Sequence, residues 1–156
     1  MQTPANPQHT LAPQPTITPA AGVQVRHTGT DMGYGVYATR RFSAGERIEV
    51  CPVILLEEPY DALPEPVRTR VYDWTTLVPS DARHQSAISL GFGSMYNHAS
   101  PASVRYRAEP SIPAIVYEAV RDIEAGEEMT INYNAMTGGP DPHDHDWFSM
   151  MGITRL

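Results

Sequence analysis

The chain has 156 residues, the length of one domain, and carries 11 basic against 18 acidic residues, a formal charge of -7. This acidic excess argues against a non-specific nucleic-acid binder, which needs lysine and arginine to neutralise phosphates. It suits a surface that attracts basic partners such as lysine-rich peptides, and plain solubility explains it equally well.

Cysteine usage and apolar runs limit the class of protein further. Cys51 is the only cysteine, so neither an intrachain disulfide nor a cysteine-based zinc cluster can form. The first residues lack the pattern of a secretory signal, and no apolar stretch reaches the length of a membrane span. We therefore expect an intracellular protein, cytoplasmic in a bacterial host and nuclear in a eukaryotic one.

The first part of the chain changes from a polar tail to strand patterns. Residues 1–22 are rich in Pro, Gln, Thr and Ala and have no hydrophobic period, which predicts a disordered tail. Strands are predicted from Val23, where apolar residues begin to alternate with polar ones, at Tyr34–Ala38 and at Ile48–Leu56. Pro52 predicts an edge or bulge position for the third strand.

The middle of the chain predicts a short helical insert. Val67, Val71 and Trp74 lie at helical spacing, and Pro66 suits a first helical turn, so a helix is predicted from about Glu65 to Trp74. Short strand patterns then recur up to the segment that ends at Tyr133. The sequence therefore predicts a mostly-β fold.

Two segments with glycine or polar pairs are candidates for a functional site. Gly33-Tyr34-Gly35 lacks the context of a dinucleotide or phosphate loop, but its glycines let the backbone approach a ligand. An ordinary glycine-rich hairpin is the alternative. Asn97-His98 follows an apolar run, and such a histidine is more often structural than catalytic. No nucleophile elbow precedes it, which argues against a hydrolase triad.

Two further candidates lie towards the end of the chain. Tyr133 ends a strand pattern, where it is either a half-buried anchor or a phenol placed in a site. The acidic and histidine residues between Asp141 and Asp146, including His143 and His145, allow a metal-binding interpretation. Because their spacing matches no zinc motif, we predict no metal ligand.

Taken together, three segments resemble the SET domain of protein-lysine methyltransferases. Gly33–Ala38 resembles the first motif of that family, Gly91–His98 resembles its Asn-His-Ser motif, and Gly126–Tyr133 resembles its Gly-Glu-Glu-Leu-Thr-x-x-Tyr motif. The resemblance assigns residues 23–135 to a SET domain of the minimal kind and residues 136–156 to a C-terminal post-SET-like segment. Ala102-Ser103 stands where the family usually has Pro-Asn.

The resemblance implies a fold, an activity and a set of site residues. The implied fold consists of small β-clip-like sheets in which the C-terminal strand threads under an earlier loop as a pseudoknot. The implied activity is methyl transfer from S-adenosyl-L-methionine to the side-chain amine of a protein lysine. The implied cofactor-binding residues are Gly33, Tyr34, Gly35, Asn97, His98, Tyr133 and Trp147. The implied catalytic residues are Tyr133, which orients methyl and amine, and Tyr34 and Tyr72, which with Trp147 are candidates for the channel wall.

Alternatives remain for the residues and for the protein. Core packing explains Tyr72 and Trp147 equally well. Ile131, where the family commonly has an aromatic residue, suggests a channel that accepts already methylated lysine. The chain could also be a catalytically weak or inactive SET-like module that only binds a peptide or the cofactor. We expect a lysine-containing protein or peptide as partner, neither nucleic acid nor membrane, and a monomer or homodimer.

Overall fold

The computed structural model describes residue 17 and residues 20–78, 85–109 and 111–140. The described chain is mostly β, as the sequence predicts, with two short α-helices. The strands are β1 (Val23–His27), β2 (Tyr34–Ala38), β3 (Arg47–Leu56), β4 (Val71–Asp73), β5 (Ser86–Ser89), β6 (Asn97–His98), β7 (Val104–Ala108), β8 (Ala114–Ala119) and β9 (Glu128–Ile131). The α-helices are α1 (Glu65–Arg68) and α2 (Trp74–Leu77), and 3-10 turns lie at Tyr60–Ala62 and Gly93–Met95.

The first sheet has the strand order β1-β2-β9-β6 and brings the three motif segments side by side. β1 and β2 form an antiparallel hairpin, and β9 pairs antiparallel with the other edge of β2, with Tyr37 opposite Glu128. β6 then pairs parallel with β9, with Asn97 opposite Thr130. Segments that are far apart in sequence therefore become neighbours through β9.

The second sheet is antiparallel and has the order β4-β5-β3-β8-β7. The expectation that Pro52 marks an edge or a bulge is wrong, because β3 is the central strand and its bulge lies between Arg47 and Glu49. Pro52 is tolerated there because it lies one residue beyond the pairing of β3 with β5, and its carbonyl accepts from the Leu90 amide at 2.9 Å.

The predicted helix from Glu65 to Trp74 is wrong in its second half. The chain is helical only over Glu65–Arg68, then forms β4, and begins α2 at Trp74. Tyr72 pairs opposite Ala87 of β5, and its ring packs edge-on against Tyr106 with centroids 5.3 Å apart. Sheet pairing and aromatic packing therefore override the helical spacing.

The chain beyond β9 crosses from the first sheet to the second. The amides of Ala102 and Tyr106 donate to the carbonyls of Gly138 and Met136, both at 3.0 Å. The side chain of Asn132 fixes the same segment by donating to the Gly139 carbonyl at 2.7 Å. β9 thus lies between two strands formed earlier in the chain before its continuation joins β7, which agrees with the threaded C-terminal strand of a SET fold.

One hydrophobic core joins the two sheets. It contains Val36 and Met129 from the first sheet and Ile115 and Tyr117 from the second, each fully buried. Burial of such side chains is the main favourable term in folding, and here it also fixes the two sheets relative to each other. In the described ranges no helix has the length and apolar character needed to cross a membrane.

Candidate active site

Tyr133 lies two residues after β9 and is hydrogen-bonded to Tyr96 and His98, at the two ends of the segment that contains β6. Its hydroxyl donates to the main-chain carbonyl of Tyr96 at 2.8 Å, and its main-chain amide donates to Nδ1 of His98 at 3.2 Å. The rings of His98 and Tyr133 have centroids 5.3 Å apart. The structure therefore brings together Tyr133, Asn97 and His98, which the sequence had placed in one site.

The Tyr133 phenol stays protonated at neutral pH. Burial raises its pKa to about 12, the charge of Glu128 adds to this effect, and the charge of Arg70 opposes it. The phenol proton is donated to the Tyr96 carbonyl, which fixes the orientation of the hydroxyl.

A cavity of about 640 Å³ lies in front of this phenol, and four tyrosines line it, namely Tyr72, Tyr96, Tyr106 and Tyr133. Burial raises the pKa values of Tyr72, Tyr96 and Tyr106, so these phenols are also neutral. The Tyr72 hydroxyl donates to the Gly93 carbonyl at 2.6 Å. In the described part of the chain, the Tyr106 hydroxyl has no hydrogen-bond partner, which leaves it available to a guest in the cavity.

The Asn97 amide is held in one orientation on the other side of Tyr133. Its Nδ2 donates to the Tyr34 carbonyl at 3.2 Å and to Oε1 of Glu128 at 2.7 Å. No donor within the described ranges reaches its Oδ1, which is therefore available as an acceptor. Gly35 permits this packing, because a Cβ at that position would lie 2.2 Å from Oε1 of Glu128. Gly33 has a φ of 76°, which favours glycine.

Of the residues predicted to form the channel wall, Tyr72 lines the cavity and Tyr34 does not. The Tyr34 side chain is 56% exposed, packs edge-on against His27, and is not part of the cavity wall. Only its carbonyl contacts the site, through Asn97. Trp147 lies outside the described residues, as do His143 and His145. Among the described residues, no group of three or more potential metal ligands occurs.

Ser103, which stands where the family usually has asparagine, keeps a structural role in the strand below the site. Its hydroxyl accepts from the Thr130 amide at 3.0 Å, and its own amide donates to the Thr130 hydroxyl at 3.4 Å. These two bonds link the start of β7 to β9. The substitution therefore leaves the position connected to the strand that precedes Tyr133.

Sequence reasoning missed four residues, namely Tyr96, Tyr106, Glu128 and Glu49. The alternation of apolar and polar residues predicts which side chains face the core. It does not predict which groups their polar atoms contact. Glu49 is 1% exposed and accepts from the Tyr96 hydroxyl at 2.9 Å, and burial raises its pKa. By contrast, the Ile131 side chain is 1% exposed within the core and is not part of the cavity wall, whereas Tyr106 is.

Comparisons with known proteins agree with this arrangement. The model of the SET domain family matches residues 33–134. A histone-lysine N-methyltransferase of Schizosaccharomyces pombe, specific for H3 lysine-37, is 30% identical over 117 residues, which is 74% of this chain and 70% of that protein.

Two solved structures share the fold at lower identity. A Plasmodium falciparum protein assigned to the histone methyltransferases has a TM-score of 0.55 and 18% identity, covering 72% of this chain and 97% of that one. A humanized mutant of the Chaetomium thermophilum Polycomb Repressive Complex 2 has a TM-score of 0.56 and 22% identity, covering 75% of this chain and 15% of that one. On the family model and the Schizosaccharomyces pombe relative together, this chain belongs to the SET domain family of protein-lysine methyltransferases.

Proposed function

We propose that this protein transfers the methyl group of S-adenosylmethionine to the side-chain amine of a lysine in a protein substrate, with Tyr133 as the catalytic residue. One observation carries the proposal. The Tyr133 side chain lines the tyrosine-lined cavity, and its ring also packs against His98, with centroids 5.3 Å apart. One side chain thus borders both the cavity and the segment that we assign to the cofactor.

The residues around Asn97 fit the proposed cofactor. When bound, S-adenosylmethionine supplies a methyl group activated by a positively charged sulfur. The groups nearest to Gly35 are the carboxylate of Glu128, which is an anion, and Nδ2 of the Asn97 side-chain amide. We assign cofactor contact to Asn97, His98 and Tyr133, and to the main chain of residues 33–35. Trp147 stays in the proposal as a cofactor contact from the sequence.

The cavity walls suit the target lysine. A lysine amine must lose its proton before it can act as a nucleophile, and its ordinary pKa is about 10.4. Burial against Tyr72, Tyr106 and Tyr133 disfavours the ammonium, because desolvation raises the free energy of the charged form. The neutral phenols provide oriented acceptors without a strong base, so that alignment of the reacting atoms supplies much of the rate.

Tyr133 orients the reacting groups in this proposal. The hydrogen bond to the Tyr96 carbonyl fixes its hydroxyl, and we assign to that oxygen the orientation of the amine and of the transferring methyl. Such a preorganised acceptor needs no rearrangement during the reaction. Tyr72 serves as a wall, because its hydroxyl is committed to Gly93.

Two measurements test the proposal. Calorimetry of the full chain with S-adenosylmethionine should show binding near neutral pH. Mass spectrometry of a lysine-rich protein mixture incubated with the enzyme and the cofactor should show added methyl groups on lysine. Absence of binding overturns the proposal, whereas binding without any methyl transfer supports the inactive-module interpretation.

A further inference from the structure

The two neighbouring glutamates at the start of β9 have different surroundings. Glu127 forms a salt bridge with Arg121 and accepts from the Glu124 amide, so its charge is used within a surface turn. Glu128 instead faces Asn97 and Tyr37. We propose that Glu128 is a binding residue that selects the cationic methyl donor over its uncharged demethylated product. This inference rests on the proposed function, because it concerns the same cofactor site.

Glu128 is held firmly by neutral donors. Its Oε1 accepts from Nδ2 of Asn97 at 2.7 Å, and its Oε2 accepts from the Tyr37 hydroxyl at 3.3 Å. The pairing of β9 with β2 sets this geometry, because it places Glu128 directly opposite Tyr37. The backbone at Gly35 packs against the carboxylate so closely that a Cβ would clash with it.

No cation of the described chain neutralises this carboxylate. No salt bridge of Glu128 occurs within the described ranges. Arg26, on the same sheet, stacks on the Tyr37 ring at 3.7 Å and donates to the Gly126 carbonyl at 3.1 Å. A half-buried carboxylate with neutral partners alone attracts a cation more strongly than an exposed one, because less water screens it.

The charge of Glu128 reaches the catalytic phenol. Besides burial, two charges act on the pKa of Tyr133, since Arg70 lowers it and Glu128, with a smaller effect, raises it, so the carboxylate and the phenol share one electrostatic environment. A cation bound between Asn97 and Tyr133 would therefore lie in the field of Glu128. S-adenosylmethionine carries one net positive charge, whereas S-adenosylhomocysteine, which lacks the sulfonium, carries none. Glu128 thus favours the donor and lets the product leave.

The test compares the affinities of the two ligands by calorimetry in the wild type, in Glu128→Gln and in Glu127→Gln. Glutamine at 128 removes the charge and keeps an acceptor oxygen for Asn97, while its NH2 group replaces the oxygen that accepts the long bond from the Tyr37 hydroxyl. We expect Glu128→Gln to weaken S-adenosylmethionine binding about five- to tenfold and to leave S-adenosylhomocysteine within about twofold. Glu127→Gln is the matched control, because it removes the adjacent charge and should change neither affinity.

If Glu128 only positions Asn97, Glu128→Gln should lower the affinities for both ligands equally, and this result overturns the inference. Unchanged affinities for both ligands overturn it as well. If Glu128→Gln fails to fold, the affinities of the wild type for the two ligands are measured at increasing ionic strength instead. Its preference for S-adenosylmethionine over S-adenosylhomocysteine should shrink as salt is raised, and a salt-independent preference overturns the inference. A wild type that binds neither ligand overturns the proposed function and this inference together.

Discussion

The hydroxyl of Tyr133 donates to the main-chain carbonyl of Tyr96 at 2.8 Å, and the hydroxyl of Tyr96 donates to the buried carboxylate of Glu49 at 2.9 Å. Residue 96 therefore connects the cavity to the core through two different groups. Its ring also stacks on Tyr117, with centroids 4.9 Å apart. The acceptor that fixes the catalytic phenol is thus held by core contacts.

Replacement of Tyr133 by phenylalanine should abolish most turnover and leave cofactor binding nearly intact. The variant keeps the ring against His98 but loses the oxygen that orients the amine and the methyl group. Loss of one preorganised polar group costs about 100- to 1000-fold in kcat. Steady-state kinetics and calorimetry on the same preparation measure the two quantities.

Tyr60→Phe is the matched control for this variant, because Tyr60 lies in the 3-10 turn before α1 and does not line the cavity. It should retain wild-type kcat. Equal turnover by the wild type and Tyr133→Phe would contradict the assigned role of the phenol, whereas cofactor binding without turnover in both would favour the binding-module interpretation.

Replacement of Tyr106 by phenylalanine should increase the number of methyl groups added. The Tyr106 hydroxyl lines the cavity and meets no partner within the described ranges, so it is available to hold the target amine or a water beside it. Its removal frees space for a methylated amine to rotate and react again. Mass spectrometry at long reaction times should show a shift towards di- and trimethyl product, with the protein still folded by circular dichroism. An unchanged product distribution would contradict this role.

Much of the fold could be predicted from the three motif segments. The alternation in β1, β7, β8 and β9 marks strands, and the order of the motifs restricts how these strands meet. The split of the predicted helix could not be seen in this way. Three residues lie at helical spacing in the sequence, namely Val67, Val71 and Trp74. The pairing of Tyr72 with Ala87 and its packing against Tyr106 nevertheless stabilise β4, and both partners come from distant segments.

The sequence predicts which polar residues form the candidate site, but it does not predict which residues contact them. Asn97, His98 and Tyr133 stand out as polar groups at the ends of apolar runs. Glu128 does not, because the sequence gives no reason to distinguish it from Glu127. Only the register of β9 against β2 places one glutamate at Asn97 and the other at Arg121.

The protein should lose stability steeply at alkaline pH. Burial raises the pKa values of five tyrosines, namely Tyr72, Tyr96, Tyr106, Tyr117 and Tyr133. Below a pH of about 10 both folded and unfolded chains keep these protons, so stability is unaffected. Above it the unfolded chain loses protons that the folded chain retains, and stability falls as pH rises towards the folded values. The pKa of Tyr133 is about 12, so this residue alone lowers the free energy of unfolding by up to about 3 kcal/mol at high pH.

Thermal unfolding between pH 8 and pH 11 measures this loss, and Tyr117→Phe should flatten the decline because it removes one titrating phenol. Tyr117 is fully buried, and its hydroxyl donates to Ser89 at 3.0 Å. A melting temperature independent of pH over this range would contradict the neutral burial of these tyrosines.

Replacement of Glu49 by glutamine should stabilise the protein at neutral pH. Burial raises the pKa of Glu49, and the described chain offers it hydroxyl and amide donors, from Tyr96 and Phe92, but no salt bridge. The folded chain holds the Glu49 proton more tightly than the unfolded chain, so stability falls as pH rises from the ordinary glutamate value through the folded one. Glutamine keeps an acceptor for Tyr96 and removes this dependence.

The melting temperature of Glu49→Gln should therefore exceed that of the wild type by an amount that grows as the pH rises from 4 to 7. Glu118→Gln is the informative comparison. Glu118 is also buried, but Arg105 and Arg107 pair with it, so its neutralisation leaves two arginines without their shared partner and should destabilise the protein at pH 7. If both variants lose a similar amount of stability, the ionised Glu49 carboxylate stabilises the fold. This result would contradict the prediction that a buried carboxylate without a cation lowers stability.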